Sequence, residues 1–176
     1  MRRMLATIAT AALAGAPTLA AAQDCVTPDE VSAMAIYAVP SAVQALDLRC
    51  STQLASDGFL ARGGAGMSRR YAALQGRSWP QAKSGLRKLL GGAAQGQMRG
   101  NLDMISGLPD QHVRPLVDAL LVQELSARIP VADCGAAERL LETMSQVEPE
   151  IAAGLIGGVL GLFAPPNTPI CQPARP

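Results

Sequence analysis

The chain has few aromatic residues, one histidine and almost no net charge, and these shortages exclude several classes of function. Its 176 residues include one tryptophan, two tyrosines, two phenylalanines and one histidine, and the formal net charge is +1. So few rings offer little surface for stacking nucleic acid bases, and a charge near zero does not attract a phosphate backbone. We therefore expect no nucleic acid partner.

Sequence motifs for catalysis and for cofactor binding are also missing. The chain has no phosphate-binding G-x-x-x-x-G-K-[ST] loop, and no G-x-S-x-G serine that could act with His112. It has no C-x-x-C pair, and a single histidine argues against a zinc site. From these absences we predict no metal site and no cofactor. No motif in the sequence indicates which reaction the chain would catalyse.

No apolar run reaches the roughly 20 residues that a membrane-spanning helix needs, but a shorter run marks the N-terminus. Arg2 and Arg3 precede the mostly apolar segment Met4–Ala14, and small residues follow as far as Ala22. This three-part pattern is typical of a cleavable secretory signal. We expect residues 1–22 to be removed after Ala22, which leaves 154 residues with no transmembrane span.

The composition of the remaining chain indicates the compartment. Thirteen of the fifteen basic residues are arginine, and alanine and glycine are abundant, as in proteins from GC-rich bacterial genomes. After loss of the signal the chain carries 13 basic and 14 acidic side chains, so its net charge is −1. We predict a periplasmic or secreted protein.

Two helices are predicted directly after the signal. Residues 27–30 combine an N-cap threonine, a proline at the first helical position and a glutamate at the third, which is a capping box. The first helix is expected over Pro28–Ala38 and to stop before Pro40. The second is expected over Ser41–Arg49. Two such helices would form an antiparallel hairpin.

Four cysteines remain in the mature chain, and an even number in an exported protein predicts two disulfides. The hairpin would bring Cys50 back to Cys25. We therefore predict the pairs Cys25–Cys50 and, by elimination, Cys134–Cys171.

Helix signals recur along the rest of the chain and strand signals do not. Glycine-rich loops are expected at 63–66 and 91–100. The fold class predicted is all-α, a single-domain irregular bundle of about seven helices over 23–164, with a proline-rich tail over 165–176 tethered by Cys171. The other expected helices are Met67–Leu74, Pro80–Leu90, Asp110–Arg128, one capped by Asp133, and Pro149–Phe163.

The last predicted helix has no charged or polar side chain from Ile151 to Phe163. A stripe of four glycines lies along one face, and larger apolar side chains lie along the other. We expect a core helix buried on both faces; the alternative is a helix that inserts into a bilayer surface or a partner. The glycines are Gly154, Gly157, Gly158 and Gly161, and the larger residues are Leu155, Val159, Leu162 and Phe163.

The charges are distributed unevenly along the chain. Residues 58–102 carry eight basic and no acidic side chains, whereas residues 103–150 carry nine acidic and three basic ones. Either the two halves pair with each other, or the basic half binds an anionic component or a protein of the cell envelope, with peripheral membrane contact. The candidate anion-binding residues are Arg69, Arg70, Lys83, Arg87 and Lys88.

One carboxylate, Glu124, lies within the apolar stripe of its predicted helix, where partial desolvation would suit a general acid. Arg128 stands four residues later, in the favoured order for an ion pair, so we expect a partly buried Glu124–Arg128 pair, and the general acid is the alternative. We expect a non-enzymatic binding or adaptor protein of the envelope. The alternatives are a peptidoglycan-cleaving hydrolase or lyase that uses Glu124, and a carrier of a lipid or another apolar ligand.

Overall fold

A computed structural model describes residues 25–93, 107–164 and 168–172, so the predicted signal and its cleavage after Ala22 lie outside the described residues. The described ranges contain five α-helices and no strand, with a π-helical turn (Leu60–Gly64) and a 3-10 turn (Val131–Asp133). The all-α class is confirmed, but the count of about seven helices is too high. The helices are α1 (Pro28–Cys50), α2 (Ala65–Ala93), α3 (Asp110–Arg128), α4 (Cys134–Ser145) and α5 (Pro149–Phe163).

The predicted hairpin is wrong because α1 continues through Pro40. Its capping box is present at the start, with Glu30 N–H donating to Thr27 Oγ1 and Thr27 N–H donating to the Glu30 carboxylate. Pro40 cannot donate to the Ile36 carbonyl, a defect that costs about 3 kcal/mol. Burial on both sides of the proline offsets it, since each buried side chain contributes roughly 1.5–3 kcal/mol. The buried residues are Ile36, Tyr37, Val39, Val43 and Leu46.

The predicted disulfide pairs are also wrong, for the same reason. A helix of 23 residues is about 35 Å long, so Cys25 and Cys50 lie at opposite ends of α1 and cannot bond. The disulfides are Cys25–Cys171, with Cα atoms 5.0 Å apart, and Cys50–Cys134, at 5.6 Å. Each therefore ties one end of α1 to the C-terminal half of the chain.

The second pair of predicted helices is one helix, α2. The glycines expected to form a loop at 63–66 instead continue the π-helical turn into α2, and Pro80 lies inside the helix. Tyr71 and Trp79 are 1% and 3% exposed, so burial again outweighs the local breaking signals. The helix extends to Ala93, and the rest of the expected loop lies largely outside the described residues.

The later helices follow the sequence patterns more closely. The bounds predicted for Asp110–Arg128 and Pro149–Phe163 are confirmed. Asp133 precedes α4 but makes no capping hydrogen bond, because residues 131–133 form a 3-10 turn. In the tail, Ile170 forms a parallel β-bridge with Val26. Cys171 tethers the tail as expected, and its disulfide partner is Cys25.

α1 lies at the centre of this arrangement, and α2, α3, α4 and α5 all pack against it. Among the described residues it is also the one helix long and apolar enough to cross a membrane by length and composition. Half of that apolar stretch is buried inside the fold. Such burial is what the core helix of a soluble protein shows.

The expectation that α5 is buried on both faces is wrong. Ala153, Gly157 and Gly161 face α1, and a side chain at Gly157 would overlap the Pro28 carbonyl oxygen. Gly154 and Gly158 face open space. Five of the larger side chains are more than half exposed, so α5 packs on α1 through small residues and leaves large ones in solvent. These exposed residues are Ile151, Leu155, Val159, Leu162 and Phe163.

The two adjacent glycines of α5 should respond oppositely to alanine. Gly157→Ala should destabilise the protein by on the order of 1–3 kcal/mol, because the new methyl group overlaps the backbone of α1. Gly158→Ala should stabilise it by about 0.5–1 kcal/mol, because alanine has the higher helix propensity and meets no atom within 4 Å. Urea unfolding of both variants measures the difference. Equal effects would contradict the packing of α5 on α1.

Glu30 joins the start of α1 to α2. Its residue is 8% exposed, and its carboxylate accepts from Thr27 N–H at 2.9 Å, Ser84 Oγ at 2.7 Å and Lys88 Nζ at 2.8 Å. Burial raises the pKa of Glu30, but the bonds from Lys88, Ser84 and Thr27 together hold that pKa below its ordinary value of 4.5. The ionised carboxylate is therefore the form that the fold stabilises.

Glu30→Gln should cost about 1–3 kcal/mol of unfolding free energy at pH 7, since it removes charge-assisted bonds. In the native protein this contribution is complete above pH 4.5 and is lost as pH falls through the lowered folded pKa. The variant should therefore lose less stability than the native protein between pH 7 and pH 3. Urea unfolding across that range tests this, with the exposed Asp29→Asn as control.

Candidate functional site

A groove separates α2 from α3, and it follows from how the two helices dock. Both pack on α1, and they meet each other through side chains at one end, where Trp79 and Val113 share a buried cluster and Lys83 pairs with Asp110. Val113 is the only residue of α3 that is fully buried. Much of the apolar stripe of α3 therefore faces the gap instead of a neighbouring helix.

The groove has a volume of about 280 Å³, near the lower end of the roughly 300–1,000 Å³ typical of small-molecule sites. Its walls are almost wholly apolar, and three charged side chains stand among the lining residues. The apolar lining is Trp79, Leu86, Leu90, Val113, Val117, Leu120 and Leu121, and the charged residues are Lys83, Arg87 and Glu124.

One end of the groove is built on aromatic rings. The centroids of Tyr37 and Trp79 lie 4.9 Å apart. The Arg114 guanidinium carbon lies 5.8 Å from the Tyr37 ring centre and 5.9 Å from that of Trp79, which is cation–π distance. The sequence analysis missed Arg114, because nothing in its local pattern reveals the rings that α1 and α2 bring to it.

Two of the three charged lining residues already have partners. Lys83 Nζ lies 2.9 Å from Asp110, and the Trp79 N–H together with Lys83 lowers the pKa of Asp110. Glu124 accepts from Arg128 Nε at 2.7 Å. Arg87 is exposed and makes no ion pair with any described residue. It is therefore the charge at the groove that is available to a ligand.

The placement of Glu124 differs from the expectation of a desolvated acid. Its side chain is 61% exposed, and the ion pair with Arg128 has formed. Within the described part of the chain, no second carboxylate lines the groove. The geometry therefore gives no support to acid catalysis by Glu124.

The candidate anion-binding residues do not form a single surface. Arg70 donates to the carbonyls of Ser145 and Val147, and Lys88 and Lys83 pair with Glu30 and Asp110. Arg69 and Arg87 are exposed and have no ion pair in the described part of the chain. Of the five, Lys83 and Arg87 line the groove.

Comparison with protein families, with curated proteins and with solved structures gives no match. Function is therefore argued from the geometry of the groove. The groove offers an apolar channel for a chain or ring and, beside it, Arg87, which has no ion pair with any described residue. That combination suits binding, whereas a reaction would need a positioned nucleophile or proton donor.

Substitution of one groove leucine tests whether the channel binds apolar molecules. Leu120→Glu should weaken binding of the neutral dye N-phenyl-1-naphthylamine at least about tenfold, because it places a charge in the apolar lining. Energy transfer from Trp79, the only tryptophan, locates the dye. Leu116→Glu is the matched control, since Leu116 is exposed on the same helix but does not line the groove. Equal losses in the two variants would contradict the site.

Proposed function

We propose that this chain is an exported, non-enzymatic binding protein that holds an anionic amphiphile in the groove between α2 and α3. The apolar tail of the ligand would lie along the groove, and its acidic head group would lie at Arg87. The carboxylate or phosphate of an envelope lipid has this chemistry.

The observation that carries the proposal is a free arginine at an apolar channel. A purely apolar ligand would need no cation, and a soluble anion would gain nothing from seven apolar lining residues. An amphiphile uses both features. Guanidinium is also suited to carboxylate and phosphate, because its planar N–H groups match the geometry of their oxygens.

Export of the chain is part of the proposal. The two disulfides are compatible with an oxidising compartment, and the leader predicted over residues 1–22 would direct the chain there. In a periplasm the accessible anionic amphiphiles are components of the cell envelope. A lipid-binding role therefore combines two of the hypotheses drawn from the sequence, namely binding to the cell envelope and transport of a lipid.

Arg87→Gln should weaken binding of dodecanoate about tenfold, because it removes the one unpaired charge at the groove. The probe is dodecanoic acid with bromine on its terminal carbon, which quenches the fluorescence of Trp79 when the tail enters the groove. Arg69→Gln is the matched control: Arg69 is also exposed on α2 without an ion pair, but does not line the groove. Its affinity should stay within twofold of the native value.

The head group and the tail can be tested separately. Dodecyltrimethylammonium with the same terminal bromine has a comparable tail and the opposite charge, so it should bind more weakly than dodecanoate. If the two bind equally well, or if Arg69→Gln weakens binding as much as Arg87→Gln, the assignment of Arg87 is wrong. If neither quenches Trp79, the groove does not hold amphiphiles.

A further inference from the structure

A second groove, lined by α1 as well as by α2 and α3, has the opposite chemistry. It measures about 550 Å³ and lies between α1 and the π-helical turn with the start of α2, and Asp118 of α3 also lines it. We call it the polar groove. Its polar side chains are two hydroxyls, two amides and two carboxylates, and no basic side chain of the described residues lines it. They are Ser41, Ser68, Gln44, Gln75, Asp47 and Asp118.

Irregular helix geometry surrounds the polar groove. Pro40 lines it from α1 and lacks the N–H that would bond to the Ile36 carbonyl. Leu60 and Ala61 of the π-helical turn line it from the other side. Short π-helical segments are costly to form and occur frequently at functional sites. The turn and the proline therefore face the same space.

Two polar groups in the groove lack the partners that buried groups normally have. Ser41 is 4% exposed, lines the groove and makes no hydrogen bond within the described residues. The Asp118 Oδ1 atom is buried and has no hydrogen-bond partner there either. Buried polar atoms are satisfied in the great majority of cases, so each exception calls for an explanation. A bound ligand that donates hydrogen bonds would be the missing partner of these groups.

The charges around Asp118 leave the polar groove negative. Arg114, four residues before Asp118 on α3, lies over the Tyr37 and Trp79 rings and forms no ion pair with Asp118 among the described contacts. Tyr37 OH donates to the Arg114 carbonyl at a long 3.4 Å. Burial and the neighbouring Asp118 carboxylate raise the pKa of Tyr37 to about 12. Tyr37 therefore stays neutral and adds no charge of its own beside the carboxylates.

We propose that the polar groove binds a small molecule carrying an alkylammonium group, which Asp118 and Asp47 would recognise by charge and Ser41 by hydrogen bonding. The ligand chemistry follows from the lining, because two carboxylates without a basic neighbour favour a cation and the hydroxyl and amide oxygens accept further N–H or O–H donors. Amino sugars and polyamines share this chemistry. This site is separate from the groove between α2 and α3, so either proposal can fail alone.

Calorimetric titration of the full mature chain tests the site. Glucosamine and putrescine represent the two sources, and N-acetylglucosamine has the same ring as glucosamine without the ammonium group. We expect at least one amine to bind and N-acetylglucosamine to bind at least tenfold more weakly. Binding of glucosamine alone would identify an amino-sugar site, and binding of putrescine alone a polyamine site. Failure of both amines at 10 mM, or equal binding of N-acetylglucosamine, would overturn the proposal.

Variants then locate the binding. Asp118→Asn and Asp47→Asn should each weaken amine binding about tenfold, and Ser41→Ala should weaken it several-fold. Asp47 is exposed, so its substitution leaves the core intact even if Asp118→Asn disturbs the fold. Asp57→Asn is the control, because Asp57 is an exposed carboxylate outside the polar groove. Unchanged binding in Asp47→Asn and Ser41→Ala, or equal loss in Asp57→Asn, would show that the amine binds elsewhere.

Discussion

The burial of α1 is the constraint on which the rest of the structure depends. Every other α-helix described packs on it, and its buried side chains occur along its whole length from Glu30 to Cys50. A helix surrounded in this way can keep Pro40 in its interior, because breaking the helix would expose more apolar surface than the missing hydrogen bond is worth. Because α1 runs unbroken through the core, Cys25 and Cys50 lie near its opposite ends, and one disulfide is formed at each end.

Both grooves follow from this arrangement. Helices that share α1 as their support need not pack closely along their whole length, and α2 and α3 meet through side chains near Trp79 and Asp110. Where their side chains are apolar, the gap between them is an apolar channel. Where α1 carries Pro40 and the chain opposite it winds into a π-helical turn, the gap is polar. The two candidate sites are thus two kinds of gap around one buried helix.

Local signals in the sequence predicted the features that local chemistry decides. The capping box at Thr27, the bounds of α3 and α5 and the all-α class depend on neighbouring residues, and these were predicted correctly. The predictions that a helix stops before Pro40 and that another begins at Pro80 were wrong, because the effect of both prolines is decided by burial against residues far away in sequence. The disulfide pairs were wrong as a consequence, since they were derived from a turn at Pro40. The sequence showed the apolar stripe of α3 that lines the apolar groove. It did not show that this stripe would face a gap between α3 and α2.

The pairing of charges explains why one arginine matters more than the basic segment as a whole. Ion pairs join Arg70 to Glu148, Arg77 to Glu150 and Lys83 to Asp110, so basic side chains of α2 meet acidic residues from the later half of the chain. Pairs as exposed as Arg77–Glu150 contribute at most about 1 kcal/mol each, so they specify which helices lie together more than they stabilise them. They also remove these cations from the set that can attract an anion. A basic side chain left outside this pairing keeps its full charge for a ligand, and Arg87 is the one that also lies at an apolar channel.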